Sequence, residues 1–183
     1  TVAKLSTNPN QFKPLADDDN SSYNMLEWIG YDNEGFLGEH NGTLFVPGWS
    51  GFMDLYSSNT DENITSTPGS NLVYAERTIA ALSYGDINLS SVDPNAQYPA
   101  MIFKKLAFTE PRSFGLDPTN PNDHNNTYRV RRISNNQLQF TENTDHKILF
   151  EQYHLAWSAY AIVPEVSPDP AKANDFNLTL RYN

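Results

Sequence analysis

The segment FNLTLRY, Phe176–Tyr182, alternates apolar and polar residues without a break. Successive side chains of a strand point to opposite faces, so the two sets fall on opposite sides of an extended chain. The apolar set is Phe176, Leu178, Leu180 and Tyr182, and the polar set is Asn177, Thr179 and Arg181. A strict period of two is typical of a half-buried β-strand. The segment therefore predicts a strand, and it places the C-terminus within a sheet.

Similar short apolar runs precede this segment, separated by clusters of Asn, Asp, Pro and Gly that favour turns. They predict strands at residues 24–31, 51–56 and 100–108, and a hairpin around residues 134–136. Residues 147–163 form the longest run, with one predicted apolar face made of Leu149, Tyr153, Leu155, Trp157, Ala159, Ala161 and Val163. This pattern predicts an all-β fold: a two-sheet antiparallel sandwich, of which a jelly roll is one form, with long loops and at most one short helix.

Two segments carry more local signals. Asn41-Gly42 suits a two-residue type I′ turn, which would place His40 opposite Thr43 and Gly38 opposite Phe45. Residues 71–84 fit either an extended segment or a short helix, since Leu72, Ala75, Ile79 and Leu82 recur at helical spacing. In the helical interpretation, Asn71 caps the start and Gly85 the end.

The length of 183 residues predicts one main domain. Residues 1–22 lack an apolar period and contain Pro9 and Pro14, so we expect an extended N-terminal arm, followed by a single β-sandwich domain at 23–183. Such an arm would lie along its own domain or on a neighbouring subunit. Because the chain starts at Thr1, we expect either a processed mature chain or a piece of a larger precursor.

The composition excludes several classes of function. The chain has no cysteine, so thiolate catalysis and cysteine-based metal sites are absent. A net charge of −10 argues against nucleic acid as a partner, because binding phosphates requires clustered Lys and Arg. No apolar stretch approaches the roughly 20 residues of a membrane-spanning helix, so we expect no membrane insertion.

Six N-x-S/T sequons favour an extracellular product.

The candidate contact residue for a glycan or a protein partner is Trp49, which lies in a Gly- and Pro-containing loop between predicted strands. An indole on such a loop can stack on a sugar ring, with amide and carboxylate groups such as Asn41 and Asp54 nearby. The same tryptophan can equally be a packing residue or an anchor for a protein partner. The sequence leaves all three interpretations of Trp49 open: a glycan contact, a packing residue and an anchor for a protein partner.

A metal site has weaker support. Asp117, Asn120, Asn122 and Asp123 form an oxygen-rich loop of the kind that calcium prefers, but without EF-hand spacing. Solvated turn residues are the alternative, and we expect no other cofactor. None of the four histidines has a recognisable metal-ligand spacing.

No catalytic constellation stands out. The sequence therefore predicts a non-enzymatic structural or adhesive subunit of an extracellular or virion-surface assembly, of the capsid, fibre or appendage type. Its expected partners are copies of itself or related subunits, and a glycan or a host receptor is a further candidate. One alternative is a lectin-like carbohydrate-binding module that uses Trp49. Another is a secreted polysaccharide hydrolase with paired carboxylates, in which Glu151 is the candidate because it interrupts an apolar run.

Overall fold

The structure is a computed structural model that describes residues 2–5, 8–14, 24–40, 42–59, 64–93, 95–104, 127–141, 149–166 and 176–182. These residues form two helices and twelve strands. The helices are α1 (Asn33–Leu37) and α2 (Leu72–Leu82). The strands are β1 (Val2–Leu5), β2 (Asn8–Pro14), β3 (Met25–Tyr31), β4 (Glu39–His40), β5 (Phe45–Val46), β6 (Asp54–Asn59), β7 (Ile64–Ser66), β8 (Ala100–Phe103), β9 (Thr127–Arg132), β10 (Gln137–Phe140), β11 (Tyr153–Val166) and β12 (Phe176–Tyr182).

Ten strands form one antiparallel sheet in the order β2-β1-β3-β11-β8-β9-β10-β7-β6, and β12 also pairs with β11. Strands β4 and β5 form a separate two-stranded sheet. The predicted β-rich antiparallel fold is therefore confirmed. A two-sheet sandwich or jelly roll is not confirmed, because the described strands join one large sheet. The expectation of at most one short helix is wrong, since α1 and α2 are both present.

The predicted strands correspond to observed ones at β3, β8, β11 and β12, and the predicted hairpin is β9–β10, with Leu138 opposite Arg132. The strand expected at residues 51–56 begins later, at Asp54. Within residues 1–22, β1 pairs with β2 and also with β3, with Ala3 opposite Leu26. The division of the chain into an arm and a domain stays a prediction.

Helix α2 packs its apolar stripe against one side of the sheet, which confirms the helical interpretation of residues 71–84. Its end is closed by a hydrogen bond from the Gly85 amide to the Ala80 carbonyl, 2.8 Å long, as in a Schellman motif. At its start, the Asn71 side chain makes no capping bond and instead donates to Glu39 at 3.1 Å. The buried core joins α2 to the strands and the loop before β6 through Trp49, Met53, Leu72, Ala75, Ile79, Ile87, Leu89, Met101, Phe103, Tyr128, Val130, Leu138, Phe140, Tyr153 and Leu155.

The predicted register of the hairpin around Asn41-Gly42 is wrong. His40 lies opposite Phe45, so four residues connect the strands instead of two. Gly38 belongs to the end of α1. It has a φ of 75° and donates its amide to the Glu34 carbonyl. It therefore cannot pair with Phe45 in a longer ladder.

A bulge in β11 changes which side chains share a face. Before it, Ala156 lies opposite Tyr31, and after it, Ser158 lies opposite Gly30, so Trp157 is the extra residue. Tyr31 and Gly30 are neighbours in β3 and point to opposite faces of the sheet. The even-numbered side chains of β11 therefore lie on the face of Tyr31 before the bulge and on the face of Gly30 after it. The single apolar face predicted along residues 147–163 is wrong for this reason.

Candidate ligand cleft and apolar sheet face

The bulge places two different surfaces on opposite faces of the sheet. Ahead of it, His154 shares a face with Tyr31, and their rings stack with centroids 4.1 Å apart and planes 12° apart. Beyond it, Tyr160 shares the other face with Trp28, and those rings stack at 5.4 Å. The first pair belongs to a cleft, and the second belongs to an apolar face.

The cleft has a volume of about 380 Å³ and lies where β3, α1, the loop before β6 and the start of β11 meet. Three partly exposed rings line it: Tyr31 ends β3, Phe36 lies on α1, and Phe52 lies in the loop before β6. They are 56%, 45% and 43% exposed respectively. Small-molecule sites are usually concave and rich in aromatic side chains, and 380 Å³ falls in their usual size range.

Trp49 forms the floor of this cleft and is only 2% exposed. Its indole nitrogen donates to the Asp32 carbonyl at 3.0 Å, and its ring contacts Phe36 and Tyr153 with centroids 4.9 and 5.7 Å apart. Burial leaves little indole surface for a sugar to stack on. The arrangement favours the packing interpretation of Trp49, and the rings that face the cleft are its neighbours.

Four polar side chains line the cleft without a hydrogen bond or an ion pair to any described residue. Lys104 follows β8, Gln152 and His154 lie at the start of β11, and Asn33 begins α1. Burial, and then the positive charge of Lys104, lowers the pKa of His154 from its ordinary value of 6.5. The imidazole is therefore neutral at pH 7 and offers one donor and one acceptor. No period or motif in the sequence groups these four residues.

Of the other predicted contact residues, Asn41 lies outside the described residues. Asp54 is the first residue of β6 and does not line the cleft. Its carboxylate accepts the amides of Tyr56 and Ser57 at 3.0 and 3.2 Å. Hydrogen bonds from the Ser57 hydroxyl and these amides lower its pKa. Asp54 thus stabilises a local turn, and the structure does not bring it together with Trp49 in one site.

The remaining candidates are Glu151 and the predicted calcium loop. Glu151 is exposed, and no carboxylate is among the described residues that line the cleft. The loop with Asp117, Asn120, Asn122 and Asp123 lies outside the described residues, so calcium binding stays a prediction. Within the described ranges, no group of three or more His, Asp or Glu residues is placed to hold a metal ion.

The apolar face is formed by β3, the second half of β11, and β12. Tyr160 lies opposite Trp28 and Tyr182, and Ile162 lies opposite Leu26 and Leu180. Residues opposite each other in an antiparallel pair share a face. The four apolar residues of β12 are 54–77% exposed: Phe176, Leu178, Leu180 and Tyr182. The side chains on β3 and β11, which are half-buried, are Leu26, Trp28, Tyr160, Ile162 and Pro164.

On β12, the side chains of the other face are polar. Arg181 on β12 donates to Glu165 on β11 at 2.8 Å, and Asn177 lies beside them in the ladder. The alternation predicted for residues 176–182 is thus confirmed, although its apolar side is open. Strand β12 pairs with β11 alone, so its outer edge has no neighbouring strand among those described.

Comparisons with protein-family models, with characterised proteins and with solved structures found no match to this chain. The described helices include none that is long and apolar enough to span a bilayer. The functional argument therefore rests on the two surfaces themselves.

Proposed function

We propose that this chain is a non-enzymatic structural or adhesive subunit that associates with copies of itself through its apolar face. The setting we propose is an extracellular or virion-surface assembly of the capsid, fibre or appendage type. The observation that carries the proposal is the exposure of the β12 side chains, from 54% at Leu180 to 77% at Tyr182. A strand with a strict apolar face normally buries that face.

The size of the apolar face suits an interface between subunits. At about 200 Å² for a fully exposed large side chain, the four β12 residues present about 500 Å². The half-buried side chains of β3 and β11 add to this area. The area of β12 alone is within the about 300–600 Å² of the largest apolar patch on a typical monomer, so β3 and β11 must contribute for the face to approach the about 800 Å² that a stable interface buries on each partner.

The distribution of charge also favours a second copy as the occupant. The chain carries a net charge of −10, yet Glu165 and Arg181 both lie on the opposite face. Two copies can therefore bring their apolar faces together without burying an unpaired charge, which would cost several kcal/mol. The outer edge of β12, which pairs with no described strand, offers backbone groups for further pairing.

This association would also account for the sandwich pattern in the sequence. One sheet with an apolar face needs a second layer, and two sheets of a sandwich pack about 10 Å apart. In our proposal, the second sheet comes from another subunit. The two-layer arrangement would then exist between chains over the area of β3, β11 and β12.

The test is the solution mass of the chain, measured by light scattering over a concentration series. We expect a multiple of 20.7 kDa that dissociates on dilution. The double variant Leu178→Glu, Leu180→Glu places two charges on the apolar face and should give monomers.

The matched control is Asn177→Glu with Thr179→Glu, which adds the same charges to the same strand on the opposite face. It should assemble as the unchanged protein does, with circular dichroism confirming that both variants fold. A monomer at every concentration would contradict the proposal, as would equal dissociation of both variants.

A further inference from the structure

We infer that the cleft between Tyr31, Phe36 and Lys104 binds a small acidic sugar, meaning a monosaccharide that carries one carboxylate. This site is separate from the apolar face, because the bulge at Trp157 puts Tyr31 and His154 on the other side of the sheet. The inference therefore does not depend on self-association.

The aromatic side chains suit one face of a sugar ring. Tyr31 is backed by the ring of His154, which holds it in place, and it is still 56% exposed. Phe36 is backed by Trp49 at 4.9 Å in the same way. Rings supported from behind present a rigid apolar surface at little entropic cost, and the C–H groups of a pyranose can pack against such a surface.

The polar side chains suit the hydroxyl groups of a sugar. Asn33 and Gln152 each offer an amide with donors and an acceptor, and neither uses them on a described residue. Neutral His154 adds one donor and one acceptor. The hydroxyl of Ser50, which also lines the cleft, is already bonded to the backbone of Phe52. Uncommitted groups that both donate and accept match the mixed hydrogen bonding of hydroxyls.

The charge selects an acidic sugar over a neutral one. Lys104 is the single charged side chain among the described lining residues, and it has no ion pair within the described part of the chain. One ammonium group complements one carboxylate, and a charge-assisted hydrogen bond is about twice as strong as a neutral one. A phosphate would need more than one cation or a cradle of backbone amides.

The test uses N-acetylneuraminic acid and glucuronic acid as probes, with the methyl esters of the same two sugars as neutral counterparts. Saturation-transfer NMR detects binding, and the intrinsic fluorescence of Trp28, Trp49 and Trp157 together gives a second readout. We expect at least one acid to bind at millimolar concentration or better, and its ester to bind about tenfold more weakly.

Variants locate the site. Lys104→Gln should remove the preference for the acid over its ester, and Tyr31→Ala should remove binding of both. The matched controls are Arg77→Gln and Tyr56→Ala, an exposed cation and an exposed ring that do not line the cleft. They should bind as the unchanged protein does.

Three results would overturn the inference. The first is no binding of either acid up to about 10 mM by a folded protein. The second is equal affinity for the acid and its ester. The third is a Lys104→Gln variant that still prefers the acid. Because the double glutamate variant of β12 leaves the cleft intact, it should bind the sugar normally, which separates this inference from the proposed assembly.

Discussion

Asp32 lies between β3 and α1 and is 1% exposed. Its backbone amide donates to the Leu155 carbonyl at 2.9 Å, and one carboxylate oxygen accepts the Gly35 amide at 3.1 Å. The second carboxylate oxygen has no hydrogen bond within the described part of the protein. Burial raises the pKa of Asp32 from 3.8, and the bond from Gly35 only partly opposes this rise. A charged Asp32 is therefore costly to the fold.

This geometry predicts a pH-dependent effect of Asp32→Asn. The raised pKa means that the folded state favours the neutral carboxyl. Below pH 3.8 the carboxyl is neutral in both the folded and the unfolded protein, so the stabilisation is then fully present. That stabilisation is lost as the pH rises through the folded pKa, whereas Asn stays neutral throughout. We therefore expect the free energy of unfolding of Asp32→Asn to rise relative to that of the unchanged protein as the pH increases from about 4 to 7. Urea unfolding at several pH values measures the difference.

Asp32→Ala is the control, because it removes the charge and also the acceptor for the Gly35 amide. Loss of an N-cap costs about 1 kcal/mol, so this variant should be less stable than Asp32→Asn at every pH. A stability difference between Asp32→Asn and the unchanged protein that does not vary with pH would contradict the raised pKa.

Single residues also mark where sequence reasoning reaches its limit. Trp49 had packing as one of three interpretations, and it is buried, but a loop sequence does not reveal whether an indole is buried. Lys104 and His154 lie 50 positions apart in the sequence and meet only because β8 pairs with β11, with Ile102 opposite His154. Contacts made by strand pairing between distant segments carry no local signal.

At the level of elements, Gly48 sets how closely the two helices approach. Its amide donates to the Gly35 carbonyl of α1 at 2.7 Å, and it also lies against Ala75 of α2. A Cβ atom at Gly48 would be 2.5 Å from that carbonyl oxygen and 3.0 Å from the Ala75 amide nitrogen. Both are backbone atoms, so a side chain here can be accommodated only if the helices move apart.

We expect Gly48→Ala to lower the free energy of unfolding by about 1–3 kcal/mol, as overpacking a core does. The control is Gly85→Ala, where φ is 87° and nothing lies within 4 Å of an added Cβ. That variant measures backbone strain alone, about 1 kcal/mol. Thermal and urea unfolding compare the two, and a Gly48→Ala protein as stable as the unchanged protein would contradict the close approach.

Elements differ in how far the sequence predicted them. Strand β12 was predicted over its full length because its alternation is unbroken. Helix α2 was one of two interpretations of residues 71–84, because its apolar residues recur at helical spacing but also fit an extended segment. The bulge at Trp157 was not predicted, since an extra residue inside an apolar run leaves the composition unchanged. That one residue decides which side chains of β11 face the cleft and which face the apolar side.

The whole molecule combines an apolar face with a large negative charge, and these act in opposite directions on self-association. Burial of the face is favourable by about 25 cal/mol per Å². Two subunits that each carry a charge of −10 repel one another, and this repulsion is screened over about 30 Å at 0.01 M salt but only about 3 Å at 1 M. No charged side chain lies among the described residues of the apolar face, so salt should act on the repulsion alone.

We therefore expect self-association to tighten as sodium chloride rises from about 0.01 to 0.5 M, with the dissociation constant falling steadily. An interface held by ion pairs would do the reverse, because salt would screen its attraction. Light scattering at several salt concentrations measures the dissociation constant. The Leu178→Glu, Leu180→Glu variant should stay monomeric over the same range, because its glutamates remain on the face that must be buried. An assembly that weakens with salt would show that a charged surface, and not the face of β3, β11 and β12, holds the subunits together.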